Sequence, residues 1–328
     1  MVKGFSWFGF SLLLFLVFPS LVFSGDNTPT PGPSKTPTPV APLEVTSDAT
    51  EVTSANTLEQ PFTQSDLSVL TGNVQRPNGA AWFNSQLYVA CNGDWTLYQL
   101  DDASGSTEAY IYGVRNAHTL YAEGAQTGDL NLWVPDFETN SFLFVTRARA
   151  PLTVASNLQG PWGIAYLDEN RFLITNLAGD NIAMVGRDGQ VQIVMEGLRS
   201  PTGIAVDDSF VYVANNGSSR RSIEWIAKDA LIAGGAPAPQ PLVSGLVSTT
   251  GMVLGEDGYL YFTYAIGTRG VVGRVNPELC REGGCSMDQI EIVIYTELAA
   301  PLAGLTISPD MRLFFHTIFR PEVYWIQL

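Results

Sequence analysis

Residues 161–178 read PWGIAYLDENRFLITNLA, and residues 201–217 read PTGIAVDDSFVYVANNG. Each stretch runs a proline-led turn, a small apolar strand, a polar turn, and a second strand ending in an amide. A chain that repeats itself in this way is built from copies of one unit, each burying itself against its neighbours. Comparable starts occur at RPNGAAW (76–82), NAHTLY (116–121), TTGMVL (249–254) and PLAGLTI (301–307). With Gly79, His118, Gly163, Gly203, Gly251 and Gly304 aligned, the spacings are 39, 45, 40, 48 and 53 residues. Periods of this size with four strands per unit predict a β-propeller.

The strands support six units. Second strands read QLYVAC, NLWVPD, RFLITN, FVYVAN, YLYFTY and RLFFHT, rich in the aromatic and β-branched residues that sheets buried on both faces require. The turns before them contain the Asn, Asp, Gly and Ser of tight hairpins. The last unit stops after its third strand at Leu328. Its missing fourth strand is found at the other end, where DLSVLTGNVQRP (66–77) follows the pattern of VQIVMEGLRSP (191–201). The prediction is an all-β, six-bladed propeller with four antiparallel strands per blade, closed by an N-terminal strand that joins the last blade. Closure removes exposed sheet edges.

The propeller accounts for residues 65–328. Residues 1–24 carry one charge, Lys3, and the apolar run FSWFGFSLLLFLVF, with Val22 and Ser24 suited to cleavage before Gly25. This is expected to be a secretory signal; the alternative is an uncleaved anchor. Residues 25–64 are rich in Thr and Pro and are expected to be a disordered spacer. The chain is therefore expected to be secreted or held in the cell envelope, touching a membrane only if the N-terminal segment is retained. Lys+Arg of 17 against Asp+Glu of 32 gives a net charge of −15, which disfavours nucleic acid as a partner. Cys280 and Cys285 in CREGGC are expected to form a disulfide in that oxidising setting, and Cys91 to be a small buried residue.

The P-x-G-I-A and Y-V-A-N patterns resemble the six-bladed propellers of the NHL, gluconolactonase and strictosidine-synthase-like superfamily, and VYVANNG and LYVACNG also look like YVTN-type repeats. The resemblance implies a ligand or active site at the top of the central tunnel. In metal-dependent members it implies Ca²⁺ held largely by the residue before each aligned glycine. Those positions are Asn78, Ala117, Trp162, Thr202, Thr250 and Ala303. Only Asn78 suits a hard cation and no carboxylate occurs, so no cofactor is expected and a divalent cation finds no support there.

His118 and His316 are the candidate catalytic pair. They can bind a metal with Asp136 or act as an acid–base couple; the plainer reading makes each a hydrogen-bonded wall residue. Candidate ligand-binding residues are Asn78, Asn92, Asp136, Trp162, Asn176, Asn215 and Tyr264, with Trp82 adding aromatic surface. The competing reading is that the amides and the carboxylate satisfy backbone groups where strands end. Arg220 and Arg221 are expected to be solvated. The inserts at 228–241 and 276–289 join third to fourth strands and offer a partner-binding edge. The reading preferred from sequence is a binding or scaffold module of the cell envelope for a small polar molecule, glycan or protein. The alternative is a gluconolactonase-like hydrolase or a lyase using the two histidines.

Overall fold

The aligned glycines explain why the copies form a ring. A Cβ added to Gly163 would lie 2.3 Å from the Thr202 carbonyl oxygen of the next blade, and one added to Gly79 would lie 2.6 Å from the His118 carbonyl carbon. Inner strands converge on the axis, and only a residue without a side chain fits between neighbours there. The computed structural model describes residues 60–125, 130–235 and 237–328; the signal segment and the spacer up to residue 59 lie outside the described residues.

Six sheets follow one another. Blade one comprises Pro77–Phe83, Gln86–Cys91, Thr96–Asp101 and Thr107–Tyr112. Blade two runs from Tyr121–Gly124 to Arg149–Ala155, blade three from Pro161–Asp168 to Val191–Met195, and blade four from Pro201–Val206 to Gln240–Val243. Blade five runs from Met252–Leu254 to Glu291–Ala299. Blade six takes Leu302–Ile307, Arg312–Thr317 and Val323–Gln327 from the C-terminus, and Ser68–Thr71 completes it by antiparallel pairing with Val323–Gln327. The ring closes as the sequence predicts.

Two details extend that prediction. Phe62–Thr63 pairs in parallel with Ile294 and Tyr295 on the outer edge of blade five, so the fold begins a few residues before 65. The Cys280–Cys285 disulfide forms, with Cα atoms 5.1 Å apart. Its loop reaches back to the edge of blade four, where Cys285 N–H donates to Leu242 O (2.7 Å) and Ser244 N–H donates to Cys285 O (2.9 Å). Each long insert opens with a short helix, Lys228–Ile232 and Pro277–Arg281. No helix among the described residues is long and apolar enough to cross a membrane.

The core lies between blades. Six apolar clusters occur among the described residues, one at each seam; Phe314 and Val323 of blade six pack with Leu87 and Val89 of blade one, for example. Polar stitches reinforce the seams near the axis, and two of them are relays through a threonine on the second strand. Gly163 N–H donates to Thr175 Oγ1 (2.7 Å), and that hydroxyl donates to Thr202 O of blade four (2.5 Å). In blade five, Gly251 N–H donates to Thr263 Oγ1 (2.8 Å); this hydroxyl pairs with that of Thr250, which donates to Leu302 O of blade six. Substituting Thr175→Val preserves the shape and strands two buried partners. It should cost about 1–3 kcal/mol, measured as a lower urea midpoint with unchanged slope.

Candidate functional site

Connections from fourth to first strands and turns from second to third strands share one face, and the tunnel opens there. His118 sits in such a connection, three residues before the inner strand Tyr121–Gly124. The strand starts late, which leaves the imidazole free to lie flat on Trp162 of blade three: the ring centroids are 3.3 Å apart and the planes differ by 5°. Phe137, just beyond the second strand of blade two, presents an edge to His118 (5.4 Å) and to Trp162 (6.0 Å). Thr119 Oγ1 donates to Trp162 O (2.8 Å) and fixes the stack. His118 and Trp162 are each half-buried residues.

His316 is different. Its side chain is fully buried, neither ring nitrogen makes a well-formed hydrogen bond among the described residues, and the Thr317 backbone is the one polar group close enough to favour its charged form. It is a buried wall residue whose polar surroundings reduce to the Thr317 backbone. Burial lowers the His316 pKa to about 3. Burial lowers that of His118 to about 3 as well, and repulsion from His316 adds to the effect. The two rings therefore sense each other's charge, yet they share no hydrogen bond. Both are neutral at pH 7.

Asp136, Asn176, Asn215 and Tyr264 are brought into the walls. Asp136 is inaccessible to solvent; its carboxylate accepts the N–H groups of Arg115 (2.7 Å), Glu138 (3.1 Å) and Thr139 (3.2 Å). Asn176 accepts from Gln159 N–H (3.2 Å) and donates to Asn181 (2.8 Å). Asn215 accepts from Arg199 N–H (3.0 Å) and donates to Arg221 O (2.9 Å) and Glu224 (2.8 Å). These three side chains clamp the connection from fourth to first strand, a backbone-satisfying role at strand ends. Tyr264 belongs to the apolar cluster between blades four and five, and burial pushes its pKa up to about 12. Trp82 points to the opposite face and donates to Asp102 (2.5 Å). Arg221 is held by the buried Glu224 through two bonds of 2.6 and 2.9 Å, where solvation was expected.

What remains at the mouth is His118, Trp162 and Asn92; Asn78 is buried with its amide donating to Asn116, which is half-buried. The sequence reading missed Phe137 and Trp95. Trp95 is 48% exposed in the first blade's turn between second and third strands, with Arg115 over its ring at 4.9 Å. Both occupy turns, where aromatic residues carry no periodic signal.

The calcium expected of the related metal-dependent propellers does not fit these residues. Asn78 is committed to Asn116, and the hydroxyls of Thr202 and Thr250 donate to carbonyl groups of neighbouring blades. No group of three or more His, Cys, Asp or Glu able to hold a metal occurs among the described residues. Hard cations need several oxygen ligands with carboxylate charge.

No family model matches the chain, and no curated protein matches it in sequence. Solved structures do match in shape. The calcium-binding protein regucalcin from Agrobacterium tumefaciens superposes with a TM-score of 0.62 at 15% identity, covering 82% of this chain and 95% of that one. A gluconolactonase from Xanthomonas campestris gives 0.59 at 16% identity, covering 79% and 88%. A catalytically inactive virginiamycin B lyase from Staphylococcus aureus with quinupristin gives 0.57 at 15%, covering 80% and 99%. At such identities the likeness shows the fold. The resemblance to gluconolactonase-type propellers holds at that level.

An imidazole in the unfolded chain titrates near ~6.5. With folded-state values lowered to about 3, the unfolded state binds protons first as the pH falls. The stability that the neutral rings contribute is complete above ~6.5 and is lost from there down towards 3. In proton NMR, both imidazole Cε1–H signals should stay flat from about pH 8 to about pH 5; a midpoint near ~6.5 for either ring would overturn this account.

Proposed function

We propose that the chain is an exported propeller that binds a neutral, polar, ring-bearing ligand at the tunnel mouth over blades one to three. The observation that carries this reading is the half-buried His118–Trp162 stack, edged by Phe137. A flat neutral aromatic platform beside amide groups suits a sugar ring or an aromatic peptide side chain, because such ligands bring an apolar face and hydroxyl or amide edges together. The positions before the aligned glycines carry no carboxylate, and the charges that flank the platform, Arg115 and Glu138, are paired with each other (3.4 Å). Export and a place in the cell envelope are supported by the N-terminal apolar run and the Thr/Pro-rich spacer.

A second reading is a hydrolase or lyase, favoured by the gluconolactonase and the lyase among the similar structures. The histidines weigh against it at neutral pH. A base whose pKa is about 3 accepts a proton poorly from a substrate at pH 7.

Two assays separate the readings. Titration calorimetry with a panel of soluble neutral oligosaccharides and short aromatic peptides should find a binder. Trp162→Ala should weaken it about two- to twelvefold, the ~0.5–1.5 kcal/mol of one aromatic contact. Parallel tests for lactone hydrolysis and C–O cleavage should show no turnover. Turnover abolished by a chelator, or by His118→Ala, would replace the binding reading with the enzymatic one.

A further inference from the structure

The seam between blades six and one closes the ring, and it is built differently from the seams after blades three and five. Counting twelve residues on from the aligned glycine reaches Thr175 in blade three and Thr263 in blade five, the hydroxyls that stitch those seams. In blade six the same count from Gly304 reaches His316. One row of paired residues crosses the blade as Ala303, His316, Val323 and Thr71, so His316 stands in register with the closing strand. Its side chain shares the face of Phe314 and Val323, which pack on blade one. Gly304 leaves the room for it: a Cβ there would lie 2.2 Å from His316 Nε2. The seam thus holds a fully buried imidazole with no well-formed hydrogen bond and only the Thr317 backbone to favour its charge, where two other blades hold a bonded hydroxyl.

We propose that His316 makes closure of the ring acid-labile: a proton on its imidazole parts blade six from blade one and releases Val323–Gln327 from Ser68–Thr71. An imidazolium is a double donor and a charge, so it requires acceptors, a counter-ion or water. The surrounding strands Leu302–Ile307, Val323–Gln327, Pro77–Phe83 and Gln86–Cys91 carry no charged side chain. Their titratable groups give no help. The Cys91 thiol faces the same seam, but burial raises its pKa and keeps it neutral in acid. Tyr88 packs towards blade two and Tyr324 towards blade five. Glu322 and Arg320 act on Tyr324 and are not among the groups that shift His316. Arg312, at the far end of the His316 strand, is already paired with Asp102 (2.7 Å) and Asp310 (3.0 Å). His118 stays neutral over this range and supplies no counter-ion.

Opening the seam returns the ring to water and to its ordinary affinity for protons. The ratio of open to closed rings should then rise about tenfold for each pH unit below ~6.5. Hydrogen–deuterium exchange on the full chain reads this directly. After correction for chemical exchange, protection of amides in Ser68–Thr71 and Val323–Gln327 should fall about fiftyfold between ~pH 6.5 and ~pH 4.5, while the strands joining blades three and four keep theirs. His316→Thr should abolish the fall, and His118→Phe should retain most of it. If His316→Thr does not fold, His316→Gln, which cannot gain a charge, is read in the same way. A fall equal in all blades, or one that survives in the His316 variant, overturns the proposal.

Discussion

Crowding of neighbouring inner strands at the axis governs this molecule. Away from the axis each seam is an apolar slab that can widen or narrow with side-chain size, as the six separate clusters show. At the axis no such freedom exists, since a Cβ on Gly163 would stand 2.3 Å from a neighbouring carbonyl oxygen. The backbone must therefore be bare at that point, and the polar groups it brings together must be bonded across blades. Threonine hydroxyls do this where they can accept from one blade and donate to the next.

Where that arrangement lapses, function has room. In blade two the aligned position is His118, the inner strand starts late, and the ring turns onto Trp162. In blade six the stitching position is His316. The two departures lie on either side of blade one, and their electrostatic coupling runs through poorly solvated space. Low polarizability holds both rings neutral, which favours stacking and ligand contact over proton transfer near pH 7.

Much of the architecture was legible because its signal is periodic. Five Gly-centred turns with a sixth at His118, six second strands and the stray fourth strand near Leu70 set the blade count and the closure. The site was less legible. Asp136, Asn176 and Asn215 share a repeat position and look like a ligand set, yet each is spent on backbone N–H groups. A repeated polar residue at a strand end carries the same letters whether it faces solvent or caps a turn. Trp82 and Tyr264 read as mouth aromatics, and their strand positions turn them to the far face and into a core.

The amino-acid order by itself determined the repeat, the ring and the pairing of its ends, because alternating apolar strands and glycine turns have one way to bury themselves. It also placed Cys280 close enough to Cys285 for a disulfide. Tertiary structure alone decided which polar groups are free. The stack of His118 on Trp162, the contact of Phe137 and the isolation of His316 arise between residues of different blades. Such contacts depend on the rotation of each blade about the axis, and that rotation is set by packing at every seam at once rather than by any local stretch of chain.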